Sequence, residues 1–438
     1  MPTTPTPTAS PIFRPAGHAH FPGKVPATTA LRTLLTSAGI RAPHTHEPFS
    51  EAMLFGIAGG IGIGVFAFLY EAEDFASFFL AGRHLWHDDL AYLREACDLL
   101  GATPVVQEFS GAGKAEGGLR TMVADGVPCI AWVDAGSLPH RAMPAYARGS
   151  GYHVVTVHGI DEAKGEALIG DLTDELIPVS LPALAEARQR IKKQKNRLLA
   201  LTAAGSPADR SADRSTESPS DRSTDSPEVL RRQVLEGLRR CHRGLTGADG
   251  VGSKTNFSLE AIRVWATRMN SAKDKDRWER VFAPGHRFWR GLTSIHDYIE
   301  YYGTGGGLCR PLFADFLAEA GAALDDARLR SLGDRYAELG QAWSALADAA
   351  LPDDVPDLRA AKALLADKAE LRNSGGSVAE LNAAWEDLAR LERSAREHFP
   401  LSDAACAELR GSLYEQIVAL YEGEAAAHEE LGALVRAD

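Results

Sequence analysis

The spacing of hydrophobic and polar positions changes twice along the chain, and these changes mark its predicted parts. Up to about residue 200, short apolar runs of strand length alternate with segments of helical spacing, such as 28–37 and 88–101. Between residues 203 and 227 the large apolar side chains vanish. From residue 228 onward only helical spacing is found, interrupted at prolines and glycines. The pattern predicts an α+β domain, a linker and an all-helical domain.

The predicted domain limits follow from the same pattern. Residues 1–24 are rich in Pro and Thr and lack the apolar segment of a secretory signal, which predicts a disordered lead. We expect the α+β domain at 25–200, with a basic amphipathic helix at 181–200 as its last element. A flexible linker rich in Ser, Asp, Arg and Pro is expected at 201–228, and a helical bundle at 229–438.

The uncharged segment 52–70 is compatible with three different structures. Its length and its glycines at four-residue spacing fit a membrane helix, but its acidic flanks do not. A GxGxxA match at 62–67 fits a dinucleotide-binding loop, although no clear strand precedes it. We therefore expect a buried glycine-rich turn, flanked by a short helix and a strand.

Candidate catalytic residues occur in a predicted hairpin within 127–171. His153 begins a β-branched run, and Asp171 follows the next short run after a glycine-bounded turn. Antiparallel pairing would bring the two side chains together, which is the arrangement in which an Asp orients a general-base imidazole. The alternative is structural, because a His at a strand start and an Asp in a turn are also common without any catalytic role.

A second candidate site is the glycine-rich segment GTGGGLCR at 303–310. Gly305, Gly306 and Gly307 precede a predicted helix, and Arg310 lies close behind them. Backbone N–H groups at such a turn can bind an anion, so these four residues are candidates for substrate binding. A tight turn between two helices explains the same pattern without a ligand.

Composition narrows the function further. The net charge of −12 argues against general nucleic-acid binding, which needs a basic surface. The five cysteines are scattered without a CxxC pair, which favours a reducing cytoplasm over a disulfide scaffold or a zinc ribbon. No metal site and no membrane partner are predicted.

Several segments, present together and in order, resemble one family. That family is typified by the butirosin-biosynthesis protein H, an acyltransferase with a cysteine-peptidase-like N-terminal domain. The segments are ATTALRTLL (27–35), SEAMLFGIAGGIGIGVF (50–66), AGRHLW (81–86), GVPCIAWVD (126–134), GYHVVTVHGID (151–161) and EYYGTGGGLCRPLFADFLAEA (300–320). The resemblance implies a papain-like domain followed by a helical domain. It also implies transfer of an acyl group from a carrier-protein thioester to an amine of a small molecule or peptide.

The resemblance places His153 and Asp171 at the family's His and Asp positions, but the nucleophile differs. Relatives carry a His-Cys pair just before the first helix, where this chain has Val25 and Pro26. Direct transfer to the amine, with His153 as base and no acyl-enzyme, is the leading expectation. The alternatives are a catalytically inactive binding or scaffold member and a cysteine hydrolase with a relocated thiol, for which Cys309 is the reserve.

The predicted partners follow from that chemistry. An acyl carrier protein would bring its own phosphopantetheine, so no cofactor is expected on this chain. The predicted basic helix face of Lys192, Lys193 and Lys195 is a candidate docking surface for such an acidic partner.

Overall fold

A computed structural model describes most of the chain, namely residues 19–124, 126–149, 151–202, 227–247 and 256–437. The predicted lead at 1–24 and the predicted linker at 201–228 lie largely outside these ranges. Residues 19–24 are described and are tied to the domain, since the Gly23 N–H donates to the Leu172 carbonyl (3.3 Å).

Helices and strands alternate in the first part of the chain, and helices alone follow. In chain order they are α1 (Pro26–Ser37), α2 (Glu51–Ile57), β1 (Ile61–Tyr70), β2 (Phe75–Arg83), α3 (Asp89–Leu100), β3 (Pro104–Gln107), α4 (Ala112–Ala124), β4 (Cys129–Asp134), β5 (Tyr152–Asp161), β6 (Glu166–Gly170), β7 (Ile177–Ser180), α5 (Leu181–Arg190), β8 (Leu198–Leu201), α6 (Pro227–Thr246), α7 (Leu259–Asn270), α8 (Trp278–Val281), α9 (His286–Glu300), α10 (Arg310–Ala323), α11 (Ala327–Ala350), α12 (Pro356–Ser374), α13 (Val378–Glu397) and α14 (Asp403–Ala437). This is the α+β class predicted from the sequence, with an all-helical C-terminal region.

The chain forms two compact units. The first consists of the described parts of Met1–Arg41, Ala102–Glu217 and Leu371–Asn382, and the second consists of the rest. Residues 42–101, which the sequence pattern groups with the first domain, belong to the second unit. The reason is packing: Phe78 on β2 contacts the rings of Trp265, Trp278 and Phe282, which all lie in the helical region.

The first unit is built on a six-stranded antiparallel sheet in the order β3-β8-β4-β5-β6-β7. All six residues of β4 are buried, as expected for a central strand covered on both faces. Alternate residues of β5, Val155 and Val157, join a core with residues of α4 and α5. Val154 and Thr156, on the other face, line a small cavity with residues of α1. Helix α1 begins at Pro26, where a missing N–H costs no helical hydrogen bond.

The predicted helix at 181–200 is wrong in its second half. The helix ends at Arg190, and Lys195 and Asn196 adopt left-handed φ values of 50° and 47° that a helix cannot continue through. Leu198–Leu201 then form a strand that pairs with both β3 and β4. The apolar run is therefore needed in the middle of the sheet, and this tertiary pairing overrides its helical spacing.

The loss of that helix also removes the predicted basic face. Lys192 and Lys193 lie on a short 3-10 turn, Lys192–Gln194, and are exposed. The Nζ of Lys195 instead donates to Glu108 (2.9 Å) on the loop after β3. These lysines do not share one helix face.

Segment 52–70 has the predicted short helix, turn and strand. Helix α2 ends at Ile57, and Gly60 N–H donates to the Phe55 carbonyl (2.7 Å) across the turn. A Cβ at Gly60 would lie 2.4 Å from that carbonyl oxygen, so the turn requires glycine. Gly62 and Gly64 lie within β1, not in a phosphate-binding loop. In the part of the chain that is described, no helix has both the length and the apolar character of a membrane span.

Candidate functional site

The hairpin of β5 and β6 brings His153 and Asp171 into contact. His153 is the second residue of β5, and Asp171 directly follows β6. Their closest atoms, His153 Nε2 and Asp171 Oδ1, are 2.9 Å apart, and the side chains are only 6% and 3% exposed. The predicted contact is present, while the catalytic role of the two residues stays a prediction.

The loop between β4 and β5 is folded around a buried aspartate at its start. Asp134 is fully buried, and its carboxylate accepts hydrogen bonds from the backbone N–H groups of Gly149 (2.9 Å) and Gly151 (3.1 Å). These bonds close the loop on itself near the beginning of β5. The closed loop presents His140 and Arg141, in a 3-10 turn, to the Asp171 carboxylate.

Arg141 and His140 complete a buried cluster on that carboxylate. The Arg141 guanidinium binds side-on, with Nε 3.0 Å from Oδ2 and Nη2 3.0 Å from Oδ1. His140 Nε2 lies 2.9 Å from Oδ2. Arg141 Nη2 is also 3.0 Å from His153 Nε2. Asp171 therefore holds one imidazole on each oxygen and an arginine across both.

Sequence reasoning missed His140 and Arg141. The two residues lie in a polar loop with neither helical nor strand spacing, so periodicity carries no information about where they point. The available signal was local: a His-Arg pair in the loop that joins the two strands next to the predicted base. Using it would have required knowing that Asp134 folds this loop back over the hairpin.

The charges of the cluster set the protonation states of the site. Burial by itself raises the pKa of Asp171, but Arg141 and the hydrogen bonds of the two histidines hold the pKa well below its usual range. Burial lowers the pKa of His153, and the positive charge of Arg141 lowers it further, against the opposing effect of Asp171. At neutral pH the site thus combines an ionised carboxylate with a neutral imidazole, the state in which a histidine can accept a proton.

The start of α1 lies near Asp171. Pro26, at the start of α1, lines the small cavity that Thr156 and Asp171 also line, and this cavity is too small to hold a water molecule. By strand alternation, His153 lies on the face of β5 that carries Val155, opposite to Thr156. Asp171 contributes to both faces of the sheet here, because it lines this cavity and also contacts His153. The side chain at position 26 is a proline ring, which offers no nucleophilic atom.

The five cysteines offer no obvious replacement. All are buried and none is in a disulfide. Burial, with a smaller effect of Asp98, raises the pKa of Cys97 to about 12. Burial also raises the pKa of Cys129 and of Cys241 to about 12, and it raises that of Cys406. A nucleophilic cysteine needs the opposite, an accessible thiol with a lowered pKa.

The glycine-rich segment forms a tight turn before α10. Gly305, Gly306 and Gly307 all have positive φ, and a Cβ at Gly307 would lie 2.8 Å from the Gly340 carbonyl oxygen. Arg310 is fully buried, and its Nε donates to Glu424 Oε1 (2.6 Å). Substrate binding by these four residues stays a prediction, and Arg310 would have to leave a carboxylate of its own chain to take part in it.

Metal binding finds no support in the residues whose positions are known. Within the described ranges, no three His, Cys, Asp or Glu side chains are grouped so that they could hold a metal ion.

Comparison with protein families gives two matches. Residues 26–172 match the model described as "Butirosin biosynthesis protein H, N-terminal". Residues 202–398 match the model described as "Domain of unknown function (DUF4872)". No curated protein matches the chain. The first match contains the whole cluster around Asp171, and the second contains most of the helical region.

Proposed function

We propose, from the match of residues 26–172 to the butirosin biosynthesis protein H N-terminal model, that this chain is a cytoplasmic biosynthetic tailoring enzyme with a papain-like N-terminal domain. Its reaction is the transfer of an acyl group from a carrier-protein thioester to an amine of a small molecule or peptide. The family name points to antibiotic biosynthesis as the setting.

The reaction proceeds by direct attack. A thioester is already activated, so the amine nitrogen can form the new C–N bond while the C–S bond breaks. His153 takes the proton that the amine loses and returns it to the departing thiolate. Asp171 holds the imidazole in place and stabilises its charged form. Neither step needs a covalent acyl-enzyme.

One observation carries this proposal: the 2.9 Å contact between His153 Nε2 and an Asp171 carboxylate held in its ionised form. The buried cysteines support the direct route, because they disfavour the alternative of a relocated thiol. The acyl donor brings its own phosphopantetheine, so this chain needs no cofactor. Exposed Lys192 and Lys193 are candidates for contact with the acidic carrier.

A second candidate function is that of a catalytically inactive binding or scaffold member of the family. The observation that favours it is the full occupation of Asp171. Arg141 spans both carboxylate oxygens, and the resemblance implies a cysteine in relatives where this chain has Pro26 at the start of α1. An aspartate paired with an arginine has less charge to offer an imidazolium.

The test is an acyl-transfer assay with acyl-loaded carrier protein and a panel of amines. The wild type is compared with His153→Ala, with a variant in which all five cysteines are Ala, and with the exposed-site control His398→Ala. We expect a rate loss of about 10²–10⁴-fold in His153→Ala alone, the usual contribution of a general base. Loss in the cysteine-free variant would instead reveal a relocated nucleophile. If the wild type bound the carrier protein but did not transfer the acyl group, the result would reject the enzyme and support the scaffold function.

A further inference from the structure

Three atoms at the centre of the cluster lie at nearly equal distances from one another. His153 Nε2 is 2.9 Å from Asp171 Oδ1 and 3.0 Å from Arg141 Nη2, and Nη2 is 3.0 Å from Oδ1. An arginine can only donate hydrogen bonds and a carboxylate can only accept them. The neutral imidazole nitrogen between them can do either, depending on its tautomer.

The two tautomers of His153 satisfy different sides of this triangle. With the proton on Nε2, the ring donates to Asp171, and Nδ1 keeps the lone pair that a base requires. With the proton on Nδ1, Nε2 accepts from Arg141, and the ring has no basic nitrogen left for a substrate. Either bond involves a charged partner, so both are of the strong, charge-assisted kind. A histidine facing a carboxylate alone would be biased to the first state.

We propose that Arg141 is a positioning residue that keeps His153 neutral and divides it between these two tautomers. Only the tautomer that donates Nε2–H to Asp171 is the base. The charged and titratable groups that face His153 are Arg141, Asp171 and His140. On the opposite face of β5, helix α1 contributes the uncharged residues Pro26, Thr29, Ala30 and Thr33. Arg141 is the cationic side chain within hydrogen-bonding distance of the ring.

The catalytic consequence rests on the proposed function, but the tautomer balance does not. Each Nε2–H to Nδ1–H exchange switches the site between competent and incompetent states without moving the backbone. Removing Arg141 should therefore simplify the site: one tautomer, a more easily protonated ring, and a stronger base.

The test is ¹⁵N NMR of the full chain labelled at histidine, with the His153 signals assigned by His153→Gln. In the wild type we expect ring-nitrogen shifts averaged between the two neutral tautomers. In Arg141→Met the shifts should become those of the Nε2–H form. The midpoint of protonation should rise by about one pH unit or more, as when a like charge within about 4–6 Å is removed. Arg148→Met, which removes an exposed arginine from the same loop, should leave both unchanged.

A wild-type spectrum with a single pure tautomer overturns the proposal, as does an Arg141→Met spectrum identical to that of the wild type. Should Arg141→Met not fold, the wild-type spectrum decides the question alone. Because the measurement does not use turnover, a shifted tautomer balance in a chain without transfer activity would reject the proposed function and retain this inference.

Discussion

At the scale of single residues, Asp171 sets the charge balance of the buried cluster in the N-terminal unit. Its carboxylate is the common partner of Arg141, His140 and His153. Removing its charge leaves the guanidinium of Arg141 buried without a counter-ion. Breaking a buried ion pair on one side costs about 3–5 kcal/mol.

We therefore expect Asp171→Asn to lower the free energy of unfolding by about that amount, measured by urea denaturation at neutral pH. Asp174→Asn, an exposed aspartate three positions further on, is the control and should change it by less than about 0.5 kcal/mol. Equal effects of the two substitutions would show that the cluster contributes nothing special to stability.

The pKa shifts of Asp171 and His153 determine how the stability of the fold should depend on pH. Folding lowers the pKa of both Asp171 and His153. Their contributions are therefore complete above the unfolded-state values, about 3.9 and about 6.5, and are lost as the pH falls through the folded-state values. The free energy of unfolding of the wild type, measured by urea denaturation, should fall as the pH is lowered below about 6.5. Asp171→Asn should show a shallower loss at the acidic end, and a parallel curve would contradict the account.

At the scale of elements, two ion pairs connect helix α14 to its neighbours in the helical region. One joins α14 to α10 and the other joins α14 to α11. Arg310 and Glu424 are both fully buried, and Trp343 Nε1–H donates to the same Glu424 oxygen (2.7 Å). Arg335 and Glu430 form an exposed pair at 3.3 Å, with the side chains 48% and 46% exposed. The first pair is desolvated and the second is screened by water.

This contrast gives a prediction about the two glutamates of α14. Glu424→Gln should lower the free energy of unfolding by about 3–5 kcal/mol, because it leaves a buried arginine without a counter-ion. Glu430→Gln should lower it by less than about 1 kcal/mol. Thermal unfolding of both variants checks this. In the double variant Arg310→Met/Glu424→Gln, where no buried charge is left, a large part of the loss should be recovered; an additive, larger loss would contradict the reasoning.

Elements that depend on local pattern were predictable from the sequence, and those that depend on distant partners were not. Helix α3 carries its own signals: Asp88 caps its start by accepting from the Ala91 N–H, and Gly101 ends it with a φ of 70°. Strand β8 has no such signal, because its partners in β3 and β4 lie far away along the chain. In the site, the hairpin contact followed from register, while the position of Arg141 depended on a loop fold that periodicity does not encode.

At the scale of the whole molecule, the order of the chain and the composition of its compact units differ. Residues 42–101 carry β1 and β2 but belong to the unit of the C-terminal helices. A fragment ending at Thr202 would retain this hairpin without the tryptophans of α7 and α8 that cover Phe78. We expect such a fragment to bind a hydrophobic dye strongly.

The control is a fragment that joins Arg41 to Ala102 through a short Gly-Ser linker and also ends at Thr202. It lacks the unsupported hairpin, so its dye binding should be low. If the longer fragment bound as little dye as the shorter one, the hairpin would be stable by itself. Packing against the helical unit would then not be needed to stabilise residues 42–101.

In the proposed reaction, acyl transfer takes place without a covalent intermediate on this chain. Intact-mass measurement during a single turnover, with acyl-loaded carrier protein and an accepted amine, shows whether such an intermediate forms. We expect the amide to appear while the mass of the chain stays constant at every time point. An acyl adduct that rises on the chain and then falls as the amide forms would contradict it.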